Sequence, residues 1–143
     1  MKGLLKCMTK WIKGLLLIII LSVCVCGCAI EGEEEAKLRD LEFTVVTEEE
    51  QPEALAEVIE EKKASPFQIS YTLGEDLFLA IGYGEQQTGG FSISVDELYE
   101  TENHIVADTT LIGPGSEEKV IDSITYPYVI IKTELIDKDV DFR

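Results

Sequence analysis

Residues 67–73 read FQISYTL, and they alternate apolar with polar for the whole run, placing Phe67, Ile69, Tyr71 and Leu73 on one face. A period of two is the mark of a strand with one buried face. Gly74, Glu75 and Asp76 follow as a tight turn, and residues 77–83 (LFLAIGY) return beside the first run. This pair constrains the rest of the chain. An isolated hairpin is marginal in water, so further strands or a helix must cover it.

The same signals continue downstream. Residues 91–95 (FSISV) alternate and extend towards Tyr99, with Phe91, Ile93 and Val95 sharing a face that needs a core. Residues 100–103 form a polar turn, and residues 104–111 are the next strand. A Gly-Pro-Gly stretch at 113–115 forbids regular structure, and residues 120–135 supply a last long strand with a break near Pro127. Upstream, residues 41–46 (LEFTVV) are rich in β-branched side chains. Thr47 and Glu50 match a capping box, and Pro52 suits a first helical turn. Leu55, Val58 and Ile59 then recur at helical spacing. The expected fold is α+β: one N-terminal helix packed on a largely antiparallel sheet of five to six strands.

The start of the chain has a different composition. Lys2, Lys6, Lys10 and Lys13 fall in residues 1–27, which hold no Asp or Glu. Residues 15–25 (LLLIIILSVCV) are almost wholly apolar, and Val25-Cys26-Gly27-Cys28 follows. A basic stretch, an apolar stretch and a small residue before a cut make an export signal. This one resembles a bacterial lipoprotein signal, with Val25 at −3, Gly27 at −1 and Cys28 at +1. Cys28 is then the lipidated residue, because its thiol can carry a diacylglyceryl group, and two or three acyl chains anchor stably. A permanent transmembrane helix needs ~20 apolar residues, more than residues 15–30 provide. Cys24, Cys26 and Cys28 lack a fourth metal ligand, and no cysteine follows Cys28, so the mature chain has no internal disulfide.

The expected organisation is a lipoprotein signal peptide at 1–27, an acidic tether at 28–37 and one domain at 38–143. Localisation is the extracytoplasmic face of a cell membrane. Setting the four early lysines aside takes the formal charge of −16 to −20 on residues 28–143. So acidic a body repels nucleic acid and anionic lipid heads, while a basic partner suits it.

Residues 84–93 (GEQQTGGFSI), the Gly-Pro-Gly at 113–115 and residues 125–128 (TYPY) leading into VIIK together resemble the PrcB C-terminal domain. That family is named from a subunit of a secreted spirochaete protease complex. Its pattern is G-x-x-x-T-G-G-[YF]-x-I, a Pro-Gly loop and a final Y-P-[YF] strand. Phe91 stands at the aromatic position where Tyr is commoner. The resemblance spans roughly residues 66–133 and implies a non-catalytic domain that stabilises or assembles a partner protease.

Candidate partner-binding residues are Gln86, Gln87, Thr88, Gly89 and Gly90, with Tyr126 and Tyr128. The bare backbone of Gly89 and Gly90 lets another chain approach closely, and the two glutamines can donate and accept. The alternative is that these glycines only turn the chain. Tyr126 and Tyr128 flank a proline suited to an edge or a bulge, and they serve either as half-buried ring anchors or as hot spots. A phosphate cradle lacks its Gly-Lys-Ser/Thr and its helix. His104 is the single histidine, and no nucleophile motif accompanies it, so no catalytic residue is expected. Asp137, Asp139 and Asp141 lack the Gly and terminal Glu of a calcium loop and read as a charged tail, so neither metal nor cofactor is expected. Two other functions fit a surface-exposed binding domain: a cell-wall or carbohydrate-binding module, and an inhibitor of a secreted protease.

Overall fold

The computed structural model describes residues 35–143. Cys28 and the export signal therefore lie outside the described residues. The strands are β1 (Arg39–Asp40), β2 (Thr44–Val45), β3 (Pro66–Leu73), β4 (Asp76–Tyr83), β5 (Ser92–Glu100), β6 (His104–Ile112), β7 (Tyr128–Glu134) and β8 (Asp139–Phe142). A single helix among the described residues, α1 (Glu53–Lys62), falls between β2 and β3.

The α+β expectation is corrected on three counts. The domain is mostly β, its strands form two sheets of four, and the helix is neither N-terminal nor the main cover. One sheet has the order β1-β5-β6-β8 and the other β2-β7-β4-β3. Every pairing is antiparallel except β6 with β8. The reason lies in β4. Leu77, Leu79 and Ile81 point one way into a core shared with Leu98, Ile105 and Ala107 of the other sheet. Phe78 and Ala80 point the other way and pack with Leu55 and Ile59 of α1. A strand that is apolar on both sides needs a cover on each, and one helix supplies only one. The result is three layers: helix, sheet, sheet.

Several expected strands are shorter than their sequence patterns. Of the 41–46 run only Thr44–Val45 is strand, because the chain leaves one sheet at β1, just before the run, and joins the other at β2. Leu41, 5% exposed, is buried at this crossing. The 120–135 run is strand only from Tyr128, after Pro127. The capping box is also displaced. Thr47 Oγ1 donates to Glu50 Oε2 (3.0 Å) and Glu50 N–H to Thr47 O (3.1 Å), which closes a turn before the helix. Pro52 disfavours helical backbone at Gln51, so α1 begins only at Glu53.

The aspartates read as a charged tail frame a strand. Val140 and Phe142, which alternate with Asp139 and Asp141, pack onto the inter-sheet core while β8 runs parallel to β6. In β5 the register shifts between Val95 and Glu97. This bulge at Asp96 moves the inward set from Ile93 and Val95 to Leu98, whereas strict alternation would bury Glu97. Asp96 accepts hydroxyls from Ser94 (2.7 Å) and Thr110 (2.5 Å), which hold its carboxyl below the ordinary range. The sheets are also tied by Tyr83 of β4, whose hydroxyl donates to Thr109 O of β6 at 2.7 Å.

A candidate binding surface at paired loops

Two loops meet at one end of the sandwich. The first, residues 84–91, leads from β4 into β5, and the second, residues 113–127, leads from β6 into β7. Gln86 and Thr125 exchange backbone hydrogen bonds, at 2.8 Å from Gln86 N–H and 3.0 Å from Thr125 N–H. Gly89 N–H donates to Ile121 O (2.9 Å), and the Thr125 hydroxyl donates to Thr88 O (2.7 Å). Gly90 has φ +85°, and a Cβ there would sit 2.8 Å from Val120 Cγ1 and 3.0 Å from Pro114 Cβ. Only glycine meets both the conformation and the space. The bare backbone of the Thr-Gly-Gly run is thus approached closely by the chain's own second loop.

This pairing decides which side chains face solvent. Gln87 is exposed, and its amide donates to Glu85 Oε1 at 3.1 Å. Gln86, Thr88 and Gly89 are half-buried and Gly90 is exposed. Phe91 is half-buried beside Gly113, just before β5 begins. Tyr126 is half-buried under the Lys63 ammonium, 5.5 Å from the ring centroid. Tyr128 lies 6.5 Å from the Phe67 ring at the edge of the helix-side core, and its hydroxyl donates to Glu48 Oε1 at 3.3 Å. Burial, aided by the Glu48 carboxylate, pushes that phenol upward.

What sequence reading missed lies on the second loop. Ile121 is 74% exposed and Ile124 49%, with Val120 also open to solvent. Glu117, Glu118 and Asp122 share this loop, with Lys119 as its one cation, and Glu85 lies on the first loop. The run was legible as apolar, but it was read as strand, and a strand pattern does not announce exposure.

At the other end of β5 and β6, Glu35 is fastened to the turn between them. Its carboxylate accepts from the Thr101 hydroxyl (2.5 Å), the Asn103 side-chain amide (2.6 Å) and Asn103 N–H (3.2 Å). Thr101 above all, and then Asn103, lower the Glu35 pKa from 4.5 to about 2. The His104 ring faces the same carboxylate at 3.4 Å, while the His104 backbone N–H donates to the Thr101 hydroxyl oxygen at 2.9 Å. A carboxylate with a lowered folded pKa stabilises the fold above its unfolded pKa, and that contribution is lost as pH falls through the folded value. Glu35→Gln should therefore lower Tm at pH 7, and the gap to wild type should shrink as pH falls from about 4.5 towards 2. Thermal melts of both proteins across that range check it; a gap independent of pH would show that the carboxylate charge contributes nothing.

The site defines a helix-capped β-sandwich with an apolar, acid-rimmed loop pair at one end. Among the described residues no cluster of His, Cys, Asp and Glu could hold a metal. Residues 77–134, from the second position of β4 through the end of β7, match the model of the PrcB C-terminal family. This match supports the PrcB C-terminal resemblance over that segment of the domain. No curated protein and no solved structure matches the chain.

Proposed function

We propose that this chain is a membrane-anchored, extracytoplasmic lipoprotein whose PrcB-like domain binds a partner protein and does not catalyse. The observation that carries the binding role is the exposure of Ile121 and Ile124 on a loop whose backbone is pinned to the Thr-Gly-Gly run. Exposed apolar side chains on a preorganised backbone lose little entropy on binding. The acid rim favours a partner surface with basic residues around an apolar centre. The partner fitting the family resemblance is a secreted protease, which the domain would stabilise or help assemble.

Ile121→Asp and Gln87→Ala are both expected to leave Tm nearly unchanged, since exposed positions usually lie within ~0.5 kcal/mol of neutral. Ile121→Asp should abolish recovery of the partner from the cell envelope, and Gln87→Ala should weaken it. If both variants recover every protein that wild type does, the loop pair is only a turn and the binding proposal fails.

The anchoring half is tested separately. Metabolic labelling with an alkynyl fatty acid should mark the wild-type chain and not Cys28→Ala, which should leave the membrane fraction. Undiminished label in the variant would move the attachment to Cys24 or Cys26.

A further inference from the structure

The four outer edges of the two sheets are not alike. β1 and β2 have two residues each, and β8 has four, two of them aspartates. Short or charged edges resist pairing with a further strand. β3 is different. It has eight residues, PFQISYTL, none of them charged. It pairs with β4 at all eight positions without a bulge and ends the sheet order. Among the described residues no strand pairs with its other side, and Gln68, Ser70 and Thr72 are exposed. Apart from Pro66 at its first position, this edge shows neither a charged side chain nor a bulge to guard it among the described residues.

The flanks of β3 specify what would pair there. On the helix side Ile69 and Tyr71 are only half-buried at the margin of the α1 core. A neighbouring strand would place every second side chain next to them, and apolar ones would extend that core. On the opposite side Ser70 and Thr72 line a cleft of about 290 Å³ with Asp137 and Asp139 on its far wall. Lys138 in the same wall is engaged by Glu100 Oε1 and Thr101 O, both at 2.7 Å. No ion pair holds Asp137 or Asp139 among the described residues. The intervening side chains of an added strand would meet these carboxylates. The excess of acids over the whole domain attracts a cation in the same sense.

We infer that the outer edge of β3 is a strand-addition site for an extended segment of a partner protein that alternates apolar residues with lysine or arginine. Backbone hydrogen bonds would supply affinity and the alternating side chains would set the register. This site is separate from the loop pair, and it stands or falls without it.

The test uses the full chain in detergent and an acetylated, amidated peptide that matches β3 in length and alternates valine with lysine. Hydrogen–deuterium exchange should slow at residues 66–73 when the peptide is added. The same peptide N-methylated at alternate residues should lose binding in the frame that blocks its pairing edge. Asp137→Asn with Asp139→Asn should weaken binding about fivefold, the scale of two exposed ion pairs. Any of four results overturns the inference. The first is no binding at about 1 mM peptide, weaker than the ~10⁻³ M scale of even marginal complexes. The second is unchanged binding by both N-methylated frames. The third is protection at the two loops in place of residues 66–73, which would leave the loop-binding proposal intact. Protection of 66–73 that instead grows with protein concentration alone would make a second copy the occupant and also reject the assignment.

Discussion

Leu79→Ala is expected to destabilise the domain by about 2–5 kcal/mol. Leu79 is 0% exposed at the centre of β4, paired with Ser70 of β3 and Ile131 of β7. Its side chain lies in the layer between the sheets with Leu77, Ile81 and Ile131. Neighbours on two strands of its own sheet and on the facing sheet cannot all close in, so the cavity persists and adds to the lost transfer energy. A domain of about a hundred residues has only ~5–15 kcal/mol in total, so the variant should be marginal. Val95→Ala, at the half-buried margin of the same layer, should cost clearly less. Urea melts of both variants give the answer. Equal losses would mean that the centre of the fold does not lie between the two sheets.

Gly82→Val should cost about 1–3 kcal/mol or more, by overpacking. A Cβ at position 82 would fall 2.2 Å from Phe67 Cε1 and 2.6 Å from Cζ. The Phe67 ring lies directly over this glycine, across the pairing of β3 with β4. It is 8% exposed, packs in the helix-side core and lies 6.5 Å from the Tyr128 ring. It therefore cannot swing aside without opening a gap against α1. A double-mutant cycle isolates the clash. In a Phe67→Ala background, Gly82→Val should be much less harmful than in wild type, with a coupling above ~1 kcal/mol. Additive losses would show that the ring does not occupy that space.

The glycines illustrate how far the chain's own pattern reaches. The Thr-Gly-Gly run was legible as a place where backbone is left bare for a close approach. What approaches Gly89 and Gly90 is the 113–125 segment, some thirty residues away along the chain. Nothing local announces that partner. The same segment shows the reverse error. Val120, Ile121 and Ile124 look like the start of a strand, yet the regular pairing begins at Tyr128, after Pro127. Proline there removes a donor, and the backbone before it makes only the Gln86–Thr125 bridge and the Gly89–Ile121 bond with the first loop. Glu35 was read as part of a hydrated spacer, because a run of glutamates has no local preference. Its three donors, two on Asn103 and one on Thr101, come from a turn far along the chain.

Short-range physics wrote the hairpin of β3 and β4, the strands β5 and β6, the apolar face of α1 and the family resemblance into the chain itself. Each rests on spacing within a few residues: period two, period 3.6, or a glycine at a turn. The register shift in β5 was not read from the sequence, where the alternation of 91–95 runs on towards Tyr99; the bulge at Asp96 turns Leu98 inward instead. The division into two sheets was decided elsewhere. Period two reports that a strand has two faces, but it does not say what covers each. Only packing brings Leu98 and Ile105 over Leu79 on one side and Leu55 and Ile59 over Phe78 and Ala80 on the other. The parallel seat of β8 against β6 has the same origin, because Val140 and Phe142 find their core only once both sheets exist. Local spacing sets which side chains point together, while non-local burial selects the surface that they meet.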